Sequence, residues 1–144
     1  YLASVNSSIG VRESRRIKGI KMLSHEDAVA GKRPEDTVAL CGYFIDIHNG
    51  AGEGTYRVSI EEPFGIPYLC LVSKDISNLM MAGRDISVDS VTFGATRIMN
   101  VCMAAGQAAG EAAAMAVSEE KLPKEVDVQE LRKRLLEQKA ILDV

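Results

Sequence analysis

The sequence predicts an α+β chain: an antiparallel sheet in its first half, then a buried strand and a long helix, closed by a C-terminal helix. Three observations predict it. Several short stretches before residue 72 alternate apolar and polar residues, the period of a half-buried strand. A run unusually rich in Ala and Gly follows over 97–117. Residues 128–142 then carry Leu131, Leu135, Leu136 and Leu142 on one stripe, with charges elsewhere. At 144 residues, with 47% hydrophobic and 26% charged, the chain is long enough for one core and too apolar for extended disorder.

Taken in order, residues 9–20 read as a strand. Ile9, Val11 and Ile17 share one parity, while Arg12, Ser14, Arg16 and Lys18 occupy the other. Ser24 and Asp27 form an S-x-x-D cap for a short helix that Gly31 stops. Pro34, Glu35 and Asp36 suggest a second short helical start. Tyr43, Ile45 and Ile47 alternate with Phe44, Asp46 and His48 as a strand, HNGAGEGT reads as a loop, and 56–60 as the returning strand. Pro63, Gly65 and Pro67 punctuate the way to another strand at 68–72, with Pro67 at its beginning or on an edge. The apolar run NLMMAG at 78–83 suits a strand buried on both faces. A polar stretch, the Ala/Gly helix, a turn at Pro123 and a D-x-x-E cap at Asp127 complete the chain.

Composition removes some functions. A net charge of -3 gives no electrostatic reason for nucleic acid or an anionic membrane surface. Few aromatics and no Trp leave no stacking platform for bases or sugars. Cys41, Cys70 and Cys102 are odd in number and lack a C-x-x-C, so buried free thiols are expected rather than a disulfide framework or a zinc site. The opening YLASVNSSIG has neither the basic region nor the apolar core of a signal peptide, and the chain reads as a piece of something longer. Cytoplasm and periplasm both stay open as locations.

Gly106 and Gly110 lie one turn apart on the same helix face, with Ala109 and Ala113 beside them. Each glycine costs the helix about 1 kcal/mol relative to alanine. Their pairing points to another backbone, or a flat ligand, coming very close. Glu111 in mid-helix argues against a membrane span, at about 3 kcal/mol on insertion scales. The N-terminus of this helix follows a buried strand and a polar loop, and free N–H groups there suit an anion or an electron-rich ring edge. Asp46 and His48 share a strand face and suit an acid–base pair, although a polar strand end explains them as well. Arg12, Arg15 and Arg16 suit a carboxylate substrate or an anionic flavin, or simply ion pairs with Glu13 or Glu26. His25 reads as a surface residue, and Cys102 has no partner thiol for redox work.

NLMMAGRDIS followed by GATRIMNVCMAAGQAAGEAAAMA resembles the closing segment of a family of FAD-dependent oxidoreductases, within the broad group of succinate dehydrogenase flavoproteins and thioredoxin reductases. IGVRESRRIKG, GYFIDIHN and IPYLCLV are similar to its substrate-domain strands, in the same order. The resemblance implies a substrate-side region over 1–74 and the last strand and helix of an FAD-binding domain over 75–144. It places Gly83 and Arg84 where that strand meets the ribityl chain, and Arg97 and Met99 at the flavin's pyrimidine edge. Gly106, Gln107 and Gly110 would continue along the sheet, and Arg12, Glu13, Arg15 and Arg16, which resemble the family's R-E-S-R-R motif, would come from the substrate side towards the flavin. Arg84 replaces the acid that many relatives use to bind a ribityl hydroxyl, and Ser90 replaces a frequent histidine.

The implied activity is hydride transfer between a small-molecule substrate and FAD. No metal is implied. No G-x-G-x-x-G turn occurs, so the pyrophosphate cradle is expected on a missing N-terminal segment, and the isolated chain is expected to be inactive and not to retain FAD. The rival reading is a non-catalytic or accessory module of a carbohydrate-active protein such as a polysaccharide lyase. Self-association through the truncated face, as a homo-oligomer, is a third expectation.

Overall fold

A computed structural model describes residues 1–8, 10–48 and 54–144. The chain is α+β, with four α-helices and four strands in two small antiparallel sheets among the described residues. Helix α1 (His25–Val29) starts where predicted, with the Ser24 hydroxyl accepting from Asp27 N–H. Its end is tied by Lys32 N–H reaching back to the Asp27 carbonyl. Pro34 to Asp36 do not start a helix. They form a turn closed by Thr37 N–H on the Pro34 carbonyl, because the chain enters a strand at Thr37.

That strand, β1 (Thr37–Cys41), has no alternation to announce it, since Thr37, Val38, Ala39 and Cys41 are all buried. It pairs with β4 (Phe64–Pro67), Cys41 opposite Phe64 and Thr37 opposite Pro67. Pro67 ends its strand rather than beginning one. Residues 68–72, expected as a strand, start with a 3-10 turn over Tyr68–Cys70. The turn carries the Tyr68 side chain into the core, where its hydroxyl donates to the Pro123 carbonyl at 2.6 Å.

Strands β2 (Ile45–His48) and β3 (Thr55–Val58) form the second sheet, with Asp46 opposite Arg57 and His48 opposite Thr55. Most of the expected loop between them lies outside the described residues.

Two more expected strands are corrected. Of the stretch 9–20, Ile9 lies outside the described residues, and residues 10–15 are exposed, with no strand beside them among the described residues. The segment is held by Ile17 N–H on the Asp85 carbonyl and a bridge between Gly19 and Ser73. Alternation supplies two faces, but a strand also needs a neighbour for its N–H and C=O groups. The run 78–83 makes one antiparallel bridge, Val72 to Met80. Met81 is buried while Asn78 and Ala82 are exposed, so the run is not a strand covered on both faces.

The predicted helix 97–117 divides in two. Arg97 closes a short helix α2 (Phe93–Thr96), extended Ile98 intervenes, and α3 runs over Met99–Ser118. Helix α4 (Val128–Glu137) is capped by Asp127, whose carboxylate accepts from the N–H groups of Gln129 and Glu130. It stops before Leu142, which is still buried. α3 lays Val101, Ala105, Ala108, Ala112 and Met115 into the core beside β1, and α4 adds Leu131 and Leu135. Each such large side chain contributes about 1.5–3 kcal/mol on burial. The opposite face of α3 is bare: Met99, Met103 and Val117 are exposed, and a Cβ at Gly106 or Gly110 would meet no atom within 4 Å. No helix among the described residues is long and apolar enough to cross a membrane.

Candidate functional site

Asp46 is the hub of a polar cluster beside the α2–α3 junction. Its carboxylate is 14% exposed and lies on β2 with His48, Arg57 and Arg97 within 4.0 Å. Oδ2 is 3.2 Å from Nε2 of His48, two residues on along the same face. Oδ1 accepts from Nε of Arg57 at 3.2 Å, across the β2–β3 pair. The backbone carbonyl of Asp46 accepts from Arg97 at 2.9 Å. Arg97 is itself largely buried, which fixes the α2–α3 junction against β2.

Gly94 makes that junction possible. A Cβ there would lie 2.9 Å from the Asp46 carbonyl oxygen and 3.1 Å from its nitrogen. Only a residue without a side chain allows this approach. The sequence reading missed Gly94 and Arg57. Nothing local marks the first, and the cross-strand register that reveals the second depends on the pairing.

Two adjoining cavities share this cluster. One, of about 410 Å³, is lined by Arg12, Glu13, Asp46, His48, Phe93 and Arg97 among others. The other, of about 500 Å³, gathers Arg12, Tyr43, Asp46, His48, Arg84, Arg97 and Met99. Three arginines and one aspartate line the second, so the cavity favours an anion although the chain is acidic. Ser90 lines the first cavity.

A third cavity, of about 520 Å³, runs between Arg12, Arg15, Gly83, Arg84 and Cys102. Gly83 has φ +98, a conformation that β-carbons resist, and its open side faces Cys102 3.9 Å from where a Cβ would lie. Arg84 donates to the Val11 carbonyl and so ties the N-terminal segment to this corner. Burial pushes the Cys102 thiol up from its ordinary value, against the pull of the Arg84 guanidinium.

The structure thus brings Arg12, His48, Arg84, Arg97 and Met99 to one cavity, with Gly83 and Arg15 beside it. It does not bring Gly106, Gln107 and Gly110 there. Gln107 donates to Gln138 on the far side, and the two glycines face open space. Arg16 takes the ion pair with Glu13 and lies over the Phe93 ring. Arg12 and Arg15 have no carboxylate partner among the described residues. His25 is half-buried rather than on the surface, with its backbone N–H on the Asp89 carboxylate. No metal-binding cluster occurs among the described residues.

The sequence model of one protein family, described as FAD dependent oxidoreductase, matches residues 1–135. Comparison with curated proteins and with solved structures gave no match.

Proposed function

Because the chain belongs to the family of FAD-dependent oxidoreductases, we propose that it supplies the substrate side and flavin-facing corner of an enzyme that moves a hydride between a small molecule and FAD. The flavin supplies the redox chemistry when bound, and the residues here orient and polarise. The carrying observation is the meeting of Arg84, Arg97 and Met99 with Asp46 and His48 around one cavity.

The residues fit a flavin at that corner. Ile98 offers no capping side chain, so the first N–H groups of α3 lack a side-chain acceptor beside two arginines. Free N–H groups and guanidinium groups stabilise an electron-rich ring edge. Gly83, with room toward Cys102, allows close approach beside Arg84. Arg12, Arg15 and His48 then face the substrate. The bare face of α3 at Gly106 and Gly110 takes the covering element. The sequence holds no G-x-G-x-x-G turn, so retention of FAD depends on a further segment, and the isolated chain is inactive in this reading.

The test is the absorbance spectrum of the protein in its longest form, recorded as purified and again after denaturation. Oxidised-flavin bands that weaken in an Arg97→Gln variant support the reading. A colourless protein that cannot be reconstituted with FAD overturns it.

A further inference from the structure

We propose that the substrate is a small hydroxy acid, its carboxylate held by Arg12 and its hydroxyl facing His48, with Asp46 as the residue that positions that histidine. The inference rests on the flavin reading of the same site. It starts from what Asp46 does to the imidazole. Nε2 of His48 lies 3.2 Å from Oδ2 of Asp46, an ion-pair distance without an aligned hydrogen bond, and an ionised carboxylate so near repels a lone pair, which favours the tautomer with the hydrogen on Nε2. In the neutral ring Nδ1 then keeps its lone pair and is the atom able to take a proton.

Asp46 is itself held on the other side by Arg57 and through its carbonyl by Arg97, so the carboxylate keeps its place beside the ring. His48 lines both central cavities and its side chain is half exposed, so its outer edge is open to a ligand.

Arg12 and Arg97 are the arginines common to these cavities, and Arg97 is taken by the Asp46 carbonyl. The planar fork of Arg12 matches a carboxylate in two parallel hydrogen bonds. A carboxylate also offsets the surplus of positive charge that Arg12, Arg84 and Arg97 leave in the larger cavity. A molecule carrying a hydroxyl near a carboxylate addresses both groups at once.

The step balances in the oxidising direction. The carbinol C–H bond breaks and its electron pair leaves as hydride to oxidised flavin. The O–H proton passes to Nδ1 of His48, and the C=O bond forms. Two electrons lost by the alcohol are gained by the flavin.

The experiment is an NMR titration of the 144-residue chain with glycolate, using acetate and ethanol as half-probes. Glycolate should shift the Arg12 guanidinium and His48 ring signals saturably, acetate the Arg12 signals alone, and ethanol neither. Arg12→Gln should weaken glycolate binding at least about tenfold. In the native chain the ring nitrogens of neutral His48 should report one tautomer, with hydrogen on Nε2. Asp46→Ala should admit the second tautomer, with the amide signals of α3 and α4 unchanged as proof of folding. Glycolate binding that ignores Arg12→Gln, or a tautomer that ignores Asp46→Ala, overturns the proposal. Flavin retention by the longer protein is read separately: retained flavin without a glycolate response defeats this inference alone, and a colourless protein defeats the reading beneath it.

Discussion

At the residue scale, the contact between α2 and β2 is set by what Gly94 lacks. The atoms its Cβ would strike belong to the Asp46 backbone, which cannot swing aside. Gly94→Ala is therefore expected to destabilise by about 1–3 kcal/mol, read as a lower urea midpoint. Gly110→Ala, with nothing within 4 Å of the new carbon, should stabilise by up to about 1 kcal/mol, read as a higher urea midpoint. Burial gives a second prediction. It raises the Cys70 thiol from 9.0 to about 12, Cys41 from 9.0 to about 11 and the Tyr68 hydroxyl from 10.0 to about 12. The folded chain holds these protons more tightly than the unfolded one. Their stabilising effect is full below pH 9 and is lost as pH climbs through the folded values. The urea midpoint should fall between pH of about 7.5 and about 10.5, and less so in Cys70→Ala. The Asp46–His48 pair was legible in the sequence because strand spacing alone puts i and i+2 on one face. Gly94 was not, since a glycine in a polar stretch looks like any loop glycine until tertiary packing brings a backbone against it.

At the scale of elements, the helix caps were legible and the strands much less so. Ser24 and Asp127 cap through hydrogen bonds to N–H groups two or three residues away, chemistry contained in four residues. Asp127→Ala should cost about 1 kcal/mol, seen as earlier loss of helical circular dichroism on heating. Strands depend on neighbours. Residues 9–20 alternate well, yet among the described residues only single backbone bonds at Ile17 and Lys18, and no strand, meet 10–18. β1 alternates poorly and is a strand all the same, because β4 lies beside it and α3 covers it. The sequence pattern predicts Arg97 as the first residue of a long helix. Extended Ile98 breaks that helix and turns the arginine toward the Asp46 carbonyl, a break that the apolar pattern does not encode.

For the whole molecule, the core is one-sided. α3 buries alanines against β1 and leaves Met99, Met103 and Val117 exposed along its other face, in line with Gly106 and Gly110. Apolar side chains set together in water bind apolar dyes. The chain alone is expected to raise the fluorescence of such a dye, and the pair Met103→Lys with Val117→Lys to abolish most of that rise without lowering thermal stability. The fold class was legible because it rests on the balance of two periodicities over many residues. The division of the strands into two small sheets was not, because it depends on which edges meet.

The corner between Gly83 and Cys102 has a practical consequence. Cys41 and Cys70 are buried, and Cys102 is the part-exposed thiol of the three. It lines the cavity shared by Arg12, Arg15 and Arg84. The molecule therefore carries its own chemical clock at the corner proposed for the cofactor. The rate at which Cys102 takes an alkylating reagent times how often that corner is open, and a slower clock marks the moment something has moved in.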